Sequence, residues 1–171
     1  KKTEQIQTKG IEVGHIFYFG DKYSKPMNCS VDSKDGKKIF VKMGSYGIGV
    51  SRLVAAVIEA KYNNEKMKWP ASIAPFHVVI IPSINKNDDK NLKKAFELYK
   101  LLKKNNLDVL LDDIDESMAN KFKKHDLIGI PFQIILGTKS KNNEYEFKEV
   151  DGGSQMLSIE NIIKELKKYF V

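Results

Sequence analysis

Cysteine, tryptophan and arginine each occur once in this sequence, as Cys29, Trp69 and Arg52. One cysteine excludes an internal disulfide framework and fits a reducing cytosol; Cys29 reads as a small buried hydrophobe. Histidine is scarce too: His15, His77 and His125 are far apart and do not meet Cys29 at ligand spacing, so no metal cluster is expected. No apolar run reaches the ~18 residues that a membrane span requires. The start of the chain lacks the charged head, apolar core and cleavage site of a secretory signal. A cytoplasmic protein with no membrane partner is the expectation. The sequence also lacks internal repeats, a Ser-His-Asp motif and low-complexity segments other than Lys/Asn-rich loops.

What is present suits a globular chain of one domain or two small ones. Hydrophobic residues make up 42% and charged residues 30% of 171, enough to bury a sizeable core. The net charge of +7 permits a nucleic-acid partner. That charge is uneven: residues 1–73 hold 13 basic and 7 acidic side chains, residues 74–171 hold 16 and 15. Any RNA contact in the second part therefore needs a local patch. The first residue is lysine, and the chain is expected to be the C-terminal piece of something longer.

The lone arginine stands out because the other 28 of the 29 basic residues are lysine. Arg52 ends the run Met43-Gly44-Ser45-Tyr46-Gly47-Ile48-Gly49-Val50-Ser51-Arg52, between a strand-like stretch (39–43) and a helix-like one (50–62). Glycines at 44, 47 and 49 keep side chains out of the expected turn, so a ligand can approach the backbone. A planar guanidinium on the first helical turn can grip two phosphate oxygens, which lysine cannot copy. On these residues alone, Arg52 is either a phosphate grip or a solvated cation. Two common phosphate motifs are excluded: Arg52 stands where a dinucleotide fingerprint needs its third glycine, and there is no Gly-Lys-Ser/Thr ending for a P-loop.

Residues 11–19 read as a strand with no polar face, covered on both sides. Residues 27–31 and 37–43 pair as a hairpin about Asp35-Gly36, giving an antiparallel sheet with the first strand. The helix 50–62 puts Val50, Leu53, Val54, Val57 and Ile58 on one stripe, expected to pack on that sheet. Trp69, Pro70 and Pro75 mark a stiff, packed junction near residues 68–75. Beyond it come a strand at 76–81, a helix at 88–105 with Leu92, Ala95, Phe96, Tyr99 and Leu102 inward, and a strand at 107–111. A short helix at 117–126, a strand at 132–136, a hairpin at 145–158 and a closing helix at 159–170 follow. This order argues a parallel core with helices on both faces, edged by a hairpin. His15, on an apolar strand, is either a core histidine or a site residue; Glu12 is equally a surface carboxylate. His77 reads as a strand residue and His125 as a helix-end cation. Asp112, Asp113 and Glu116 lie in the loop after a strand, where α/β folds bind ligands, followed by Lys121, Lys123 and Lys124. On the residues alone these are a solvated acidic loop and a basic helix face.

M-G-S-Y-G-I-G-V-S-R-L-V-A-A (43–56) resembles motif 3 of class II aminoacyl-tRNA synthetases, in the form of the bacterial prolyl-tRNA synthetases. K-G-I-E-V-G-H-I-F-Y-F-G-D-K-Y-S (9–24) resembles that family's proline-pocket segment, and W-P-A-S-I-A-P-F (69–76) its junction into the anticodon-binding domain. L-L-D-D (110–113), K-F (121–122) and L-I-G-I-P (127–131) resemble the core of that domain. The match runs over nearly the whole chain in order, and residues 9–60 look most like the short bacterial form without an inserted editing domain. The resemblance implies an α/β protein: an antiparallel sheet remnant of the class II catalytic core (1–70), then an α/β anticodon-binding domain (71–171) with a mixed five-stranded sheet and three helices. It implies ATP-dependent activation of proline, with Mg²⁺, and transfer to tRNA(Pro) by a homodimer whose main interface and first two signature motifs precede residue 1. The piece alone is then expected to be inactive. A non-catalytic RNA-binding or regulatory module, or a small nucleotide-binding protein without RNA, is the alternative.

By the same resemblance Arg52 grips the γ-phosphate of ATP, with Gly47 and Gly49 beside the nucleotide. His15, Gly44 and Ser45 line the proline pocket. Asp113, Glu116 and Lys121 bind the anticodon, whose last two positions are guanines: carboxylates accept from N1 and N2, and lysine donates to O6 or phosphate. The sequence departs from the bacterial pattern D-D-R-x-E-R-x-G-x-K-F here, with Ile114 and Ser117 at two arginines and Ala119 at a glycine.

Overall fold

The computed structural model describes residues 7–85, 89–138, 140 and 143–170. The chain folds as two compact units, Lys1–Val57 and Ile58–Val171. In the first, strands β1 (Gly14–Gly20), β2 (Ser30–Asp32), β3 (Lys38–Phe40) and β4 (Met43–Ile48) precede the helix α1 (Val50–Lys61), in which the division falls.

The strands form two antiparallel ribbons, β1 with β4 and β2 with β3. The β2–β3 pair closes as expected around Asp35-Gly36, with Gly36 at φ 72°. The expected strand 37–43, however, breaks after Phe40, and the glycine stretch read as a turn is itself the strand β4. Gly44, Gly47 and Gly49 all lie outside the positive-φ region. What Gly44 supplies is proximity: a Cβ there would lie 2.9 Å from the Phe17 carbonyl oxygen across the ribbon. Only at Gly49 does the chain turn into α1, where Leu53 N donates to Gly49 O at 2.9 Å.

The first unit is not covered as the sequence suggests. One face of the ribbon carries Ile16, Tyr18, Tyr46 and Ile48, and Ile16 and Tyr46 are 83% and 86% exposed. A ribbon two strands wide has no second layer to bury that face against. The α1 stripe is open for the same reason: Val50, Val54 and Ile58 are exposed and only Ala56 is buried. Cys29 is also exposed rather than buried.

The second unit is built on a five-stranded sheet in the order β6-β5-β7-β8-β9. In chain order its elements are β5 (Val78–Pro82), α2 (Lys90–Lys104), β6 (Val109–Leu111), α3 (Met118–Ile128), β7 (Phe132–Leu136), β8 (Glu144–Glu149), β9 (Ser154–Ser158) and α4 (Ile159–Phe170). β6, β5 and β7 run parallel and the β8–β9 hairpin is antiparallel, giving the mixed sheet expected. Every residue of β5 is buried, as a central parallel strand covered on both faces must be. Val78 and Ile80 face a core built with Ala95, Leu98 and Leu102 of α2 and Ile162 and Leu166 of α4. Val79 and Ile81 face the other way, onto Ile130 and the α3 residues Met118 and Phe122.

Two expectations on α2 change. Asp88 lies outside the described residues, and the helix runs from Lys90. Phe96 is exposed while Leu98 is buried, because Ala95, Leu98 and Leu102 at i, i+3 and i+7 form the inward stripe. His77 precedes β5; its Nδ1 accepts from Asp108 N at 3.0 Å and its ring stacks on Phe170.

The segment before the sheet is fastened to the end of α3. Met67 N donates to Asp126 O at 2.8 Å, and the Trp69 indole Nε1 donates to Ile128 O at 2.9 Å. Gly129 closes α3 at φ 80°, and a Cβ there would lie 2.6 Å from Met67 Cγ. Among the described residues no helix is long and apolar enough to cross a membrane.

Candidate functional site

In the first unit, antiparallel register sets what faces what. His15 stands opposite Gly47 and Phe17 opposite Ser45, so these four share one face of the ribbon. The His15 ring stacks on Phe17 with centroids 3.9 Å apart, which fixes its plane. Gly47 has nothing within 4 Å of where a Cβ would be, leaving open space beside the imidazole. On the first turn of α1, Arg52 lies over Gly49, 3.2 Å from an added Cβ. Its NH1 donates to the main-chain oxygen of Glu12 at 2.8 Å. Glu12 Oε1 lies 3.7 Å from both Arg52 NH1 and His15 Nδ1.

Arg52, His15, Ser45, Gly47 and Gly49 therefore line one shallow cleft of about 330 Å³. Gly44 does not: it stands opposite Tyr18, on the other face, and its part is the close approach to β1. The residue undervalued in the sequence is Glu12, which joins the guanidinium to the imidazole. With side chains 56% and 52% exposed, Arg52 and His15 leave N–H groups and an imidazole edge open to an anion and a small polar group. Among the described residues no three of His, Cys, Asp and Glu converge as a metal-holding group.

In the second unit, the carboxyl ends of β5 and β6 meet α3 around Asp112. Asp112 is buried, with Oδ2 2.7 Å from His125 Nε2 and 2.9 Å from Lys124 Nζ. Lys121 is fully buried and donates to Pro82 O and Asp112 O, both at 3.0 Å. It ties the ends of two parallel strands together and does not face solvent, in contrast to the RNA contact expected of it. Asp113 is exposed, and Glu116 is half-buried with Oε2 3.2 Å from Lys124 Nζ. Ser117 Oγ caps α3 by accepting from Asn120 N.

Burial pushes the Asp112 carboxyl upward, but hydrogen bonds from Lys124 and His125 and the charge of Lys121 outweigh it and hold it below the ordinary carboxylate range. Burial lowers Lys121 and His125, each against the opposing pull of Asp112. Asp112 is thus ionised at neutral pH and His125 neutral, with its proton on Nε2, donated to Asp112. His125 Nδ1 is buried without a partner among the described residues. A sequence reading places His125 as a helix-end cation; its depth follows only from the packing of α3 on the sheet.

The chain is similar to known proteins over most of its length. The chain is 58% identical over 164 residues, 95% of its length, to a Proline--tRNA ligase of Pelagibacter ubique. It is 47% identical over 163 residues to that of Rickettsia prowazekii and 44% over 161 to that of a Sulfurihydrogenibium species. It spans 37%, 38% and 28% of those three relatives, so about a third of their length. A crystal structure of prolyl-tRNA synthetase from Cryptosporidium parvum, complexed with L-proline and AMP, shares the fold with a TM-score of 0.78 at 21% identity, over 92% of this chain and 34% of that one. The family model for the anticodon binding domain matches residues 77–169, more than half of the chain and nearly all of the five-stranded sheet with its three helices, and the chain belongs to that family.

Proposed function

We propose that the chain is the C-terminal part of a proline–tRNA ligase: the end of the catalytic domain (1–70), then the anticodon-binding domain (71–171). The observation that carries this reading is the cleft shared by Arg52 and His15, joined through Glu12 over the open space at Gly47. In the full-length enzyme the carboxylate of proline attacks the α-phosphate of ATP, giving prolyl-adenylate and pyrophosphate. A terminal ribose hydroxyl of tRNA(Pro) then takes the prolyl group. Such chemistry depends on positioning and charge neutralisation more than on covalent catalysis.

Arg52 is the group that takes the γ-phosphate, with two N–H donors for two oxygens, alongside the Mg²⁺ that accompanies ATP. Gly47 and Gly49 leave the backbone open to the nucleotide. His15 and Ser45 line the proline pocket, and Gly44 serves it by drawing β4 close to β1. In the second domain Asp113 and Glu116 accept from guanines of the anticodon, while Lys121 holds the loop that carries them. A cytoplasmic homodimer is part of this reading.

The test is ATP–pyrophosphate exchange by the full-length enzyme with each amino acid in turn. Proline alone is expected to support exchange; exchange driven by another amino acid in its place defeats the assignment. A non-catalytic RNA-binding module gives no exchange with any amino acid.

A further inference from the structure

The loop after β6 holds four carboxylates in five residues, Asp112, Asp113, Asp115 and Glu116, with Ile114 between them. It has no cation of its own, yet the reading above brings a polyanion to it. Among the described residues, the lysines within ion-pair distance of these carboxylates are Lys121 and Lys124, both on α3. Lys121 is sealed in, with its donors on two main-chain oxygens. Lys124 alone reaches the loop's rim: its Nζ lies 2.9 Å from Asp112 Oδ2 and 3.2 Å from Glu116 Oε2.

Because Asp112 is buried and held from several sides, it is a fixed point, and Lys124 ties Glu116 to it. One carboxylate oxygen of Glu116 is engaged by the ammonium; Oε1 has no partner among the described residues. A carboxylate on an exposed loop otherwise samples several rotamers, each a cost to ordering on binding. We propose that Lys124 is a positioning residue for anticodon reading: it clamps Glu116 against Asp112, leaving one oxygen aimed outward to accept from a guanine N–H, and it offsets charge that would repel RNA. The hydrogen bonds to Asp112 raise the Lys124 pKa, the more so with Glu116, so the clamp keeps its charge at neutral pH. This rests on the reading of Glu116 as a base contact.

The experiment uses full-length enzyme and tRNA(Pro) transcripts carrying guanine or hypoxanthine, which lacks the N2 amino donor, at each of the last two anticodon positions. Wild-type enzyme is expected to prefer guanine at one position by about ten-fold in KM for tRNA, the scale of one charge-assisted hydrogen bond. Lys124→Met is expected to raise KM for the guanine transcript about ten-fold and to erase the preference, with proline-dependent exchange unchanged at a temperature where the variant is fully folded. Lys124→Arg should restore both. Equal weakening toward the guanine and hypoxanthine transcripts in Lys124→Met overturns positioning in favour of a plain charge effect. An unaffected Lys124→Met beside a weakened Glu116→Gln overturns the clamp alone; an unaffected Glu116→Gln overturns the base-contact reading and the clamp with it.

Discussion

Arg52 engages one N–H with the main-chain oxygen of Glu12 and leaves the rest of its fork toward the cleft. Lysine could make that one bond but could not then hold two further oxygens in a plane. On the proposed function, Arg52→Lys in the full-length protein is therefore expected to cost about 2–4 kcal/mol of transition-state stabilisation in ATP–pyrophosphate exchange. An unchanged exchange rate in that variant removes the argument from the fork. His125 gives a second prediction, read from acid titration. Its pKa lies below that of an unfolded histidine, so the unfolded chain takes up the proton first and stability falls as pH drops below ~6.5. Asp112, also held low, adds a further loss below ~3.8, where the unfolded carboxyl protonates first. Urea midpoints measured from pH 8 to 3 should show both declines, and His125→Gln should lack the upper one.

Among the elements, α4 and β5 were plain in the sequence for opposite reasons. Ile159, Ile162, Ile163 and Leu166 recur with a helical period beside lysines and glutamates, while the continuous apolar run of β5 fits a strand buried on both faces. The glycine stretch of β4 misled, because glycine signals both a tight turn and a close strand, and only the Phe17 oxygen opposite Gly44 tells which. Lys121 was equally opaque: a lysine on a charged helix reads as solvated, and its burial depends on two strand ends distant in sequence. On α2, Phe96 fits the apolar stripe by its hydrophobicity but lies one residue off it. Phe96→Lys is therefore expected to change unfolding free energy by no more than about 0.5 kcal/mol, whereas Leu98→Ala should lose about 2–4 kcal/mol. Denaturant midpoints of the two variants decide this.

At the scale of the whole molecule, the two units differ in how well they satisfy their own surfaces. The second has a sheet with helices on both faces, and its architecture could be read from the order of elements. The first presents Ile16, Tyr18, Tyr46, Ile48, Val50 and Val54 to solvent, a cluster unusual for a protein surface. Its strand pattern was legible but its lack of cover was not, since periodicity reports which residues are apolar and says nothing of what lies over them. The 171-residue chain is expected to bind the dye ANS strongly and, if it is the C-terminal part of a longer protein as proposed, that protein to bind far less per molecule. Comparable fluorescence from both would show that the apolar faces stay open in the longer protein.

The tether on Arg52 comes from the peptide oxygen of residue 12, with the glutamate side chain only a more distant second. An acceptor of that kind is encoded by no codon. An exchange of the side chain at position 12 leaves that oxygen in place to moor the guanidinium, provided β1 keeps its register against β4. The anchorage therefore depends on strand alignment, and a one-residue slip in that pairing would unmoor the guanidinium even with the glutamate unchanged.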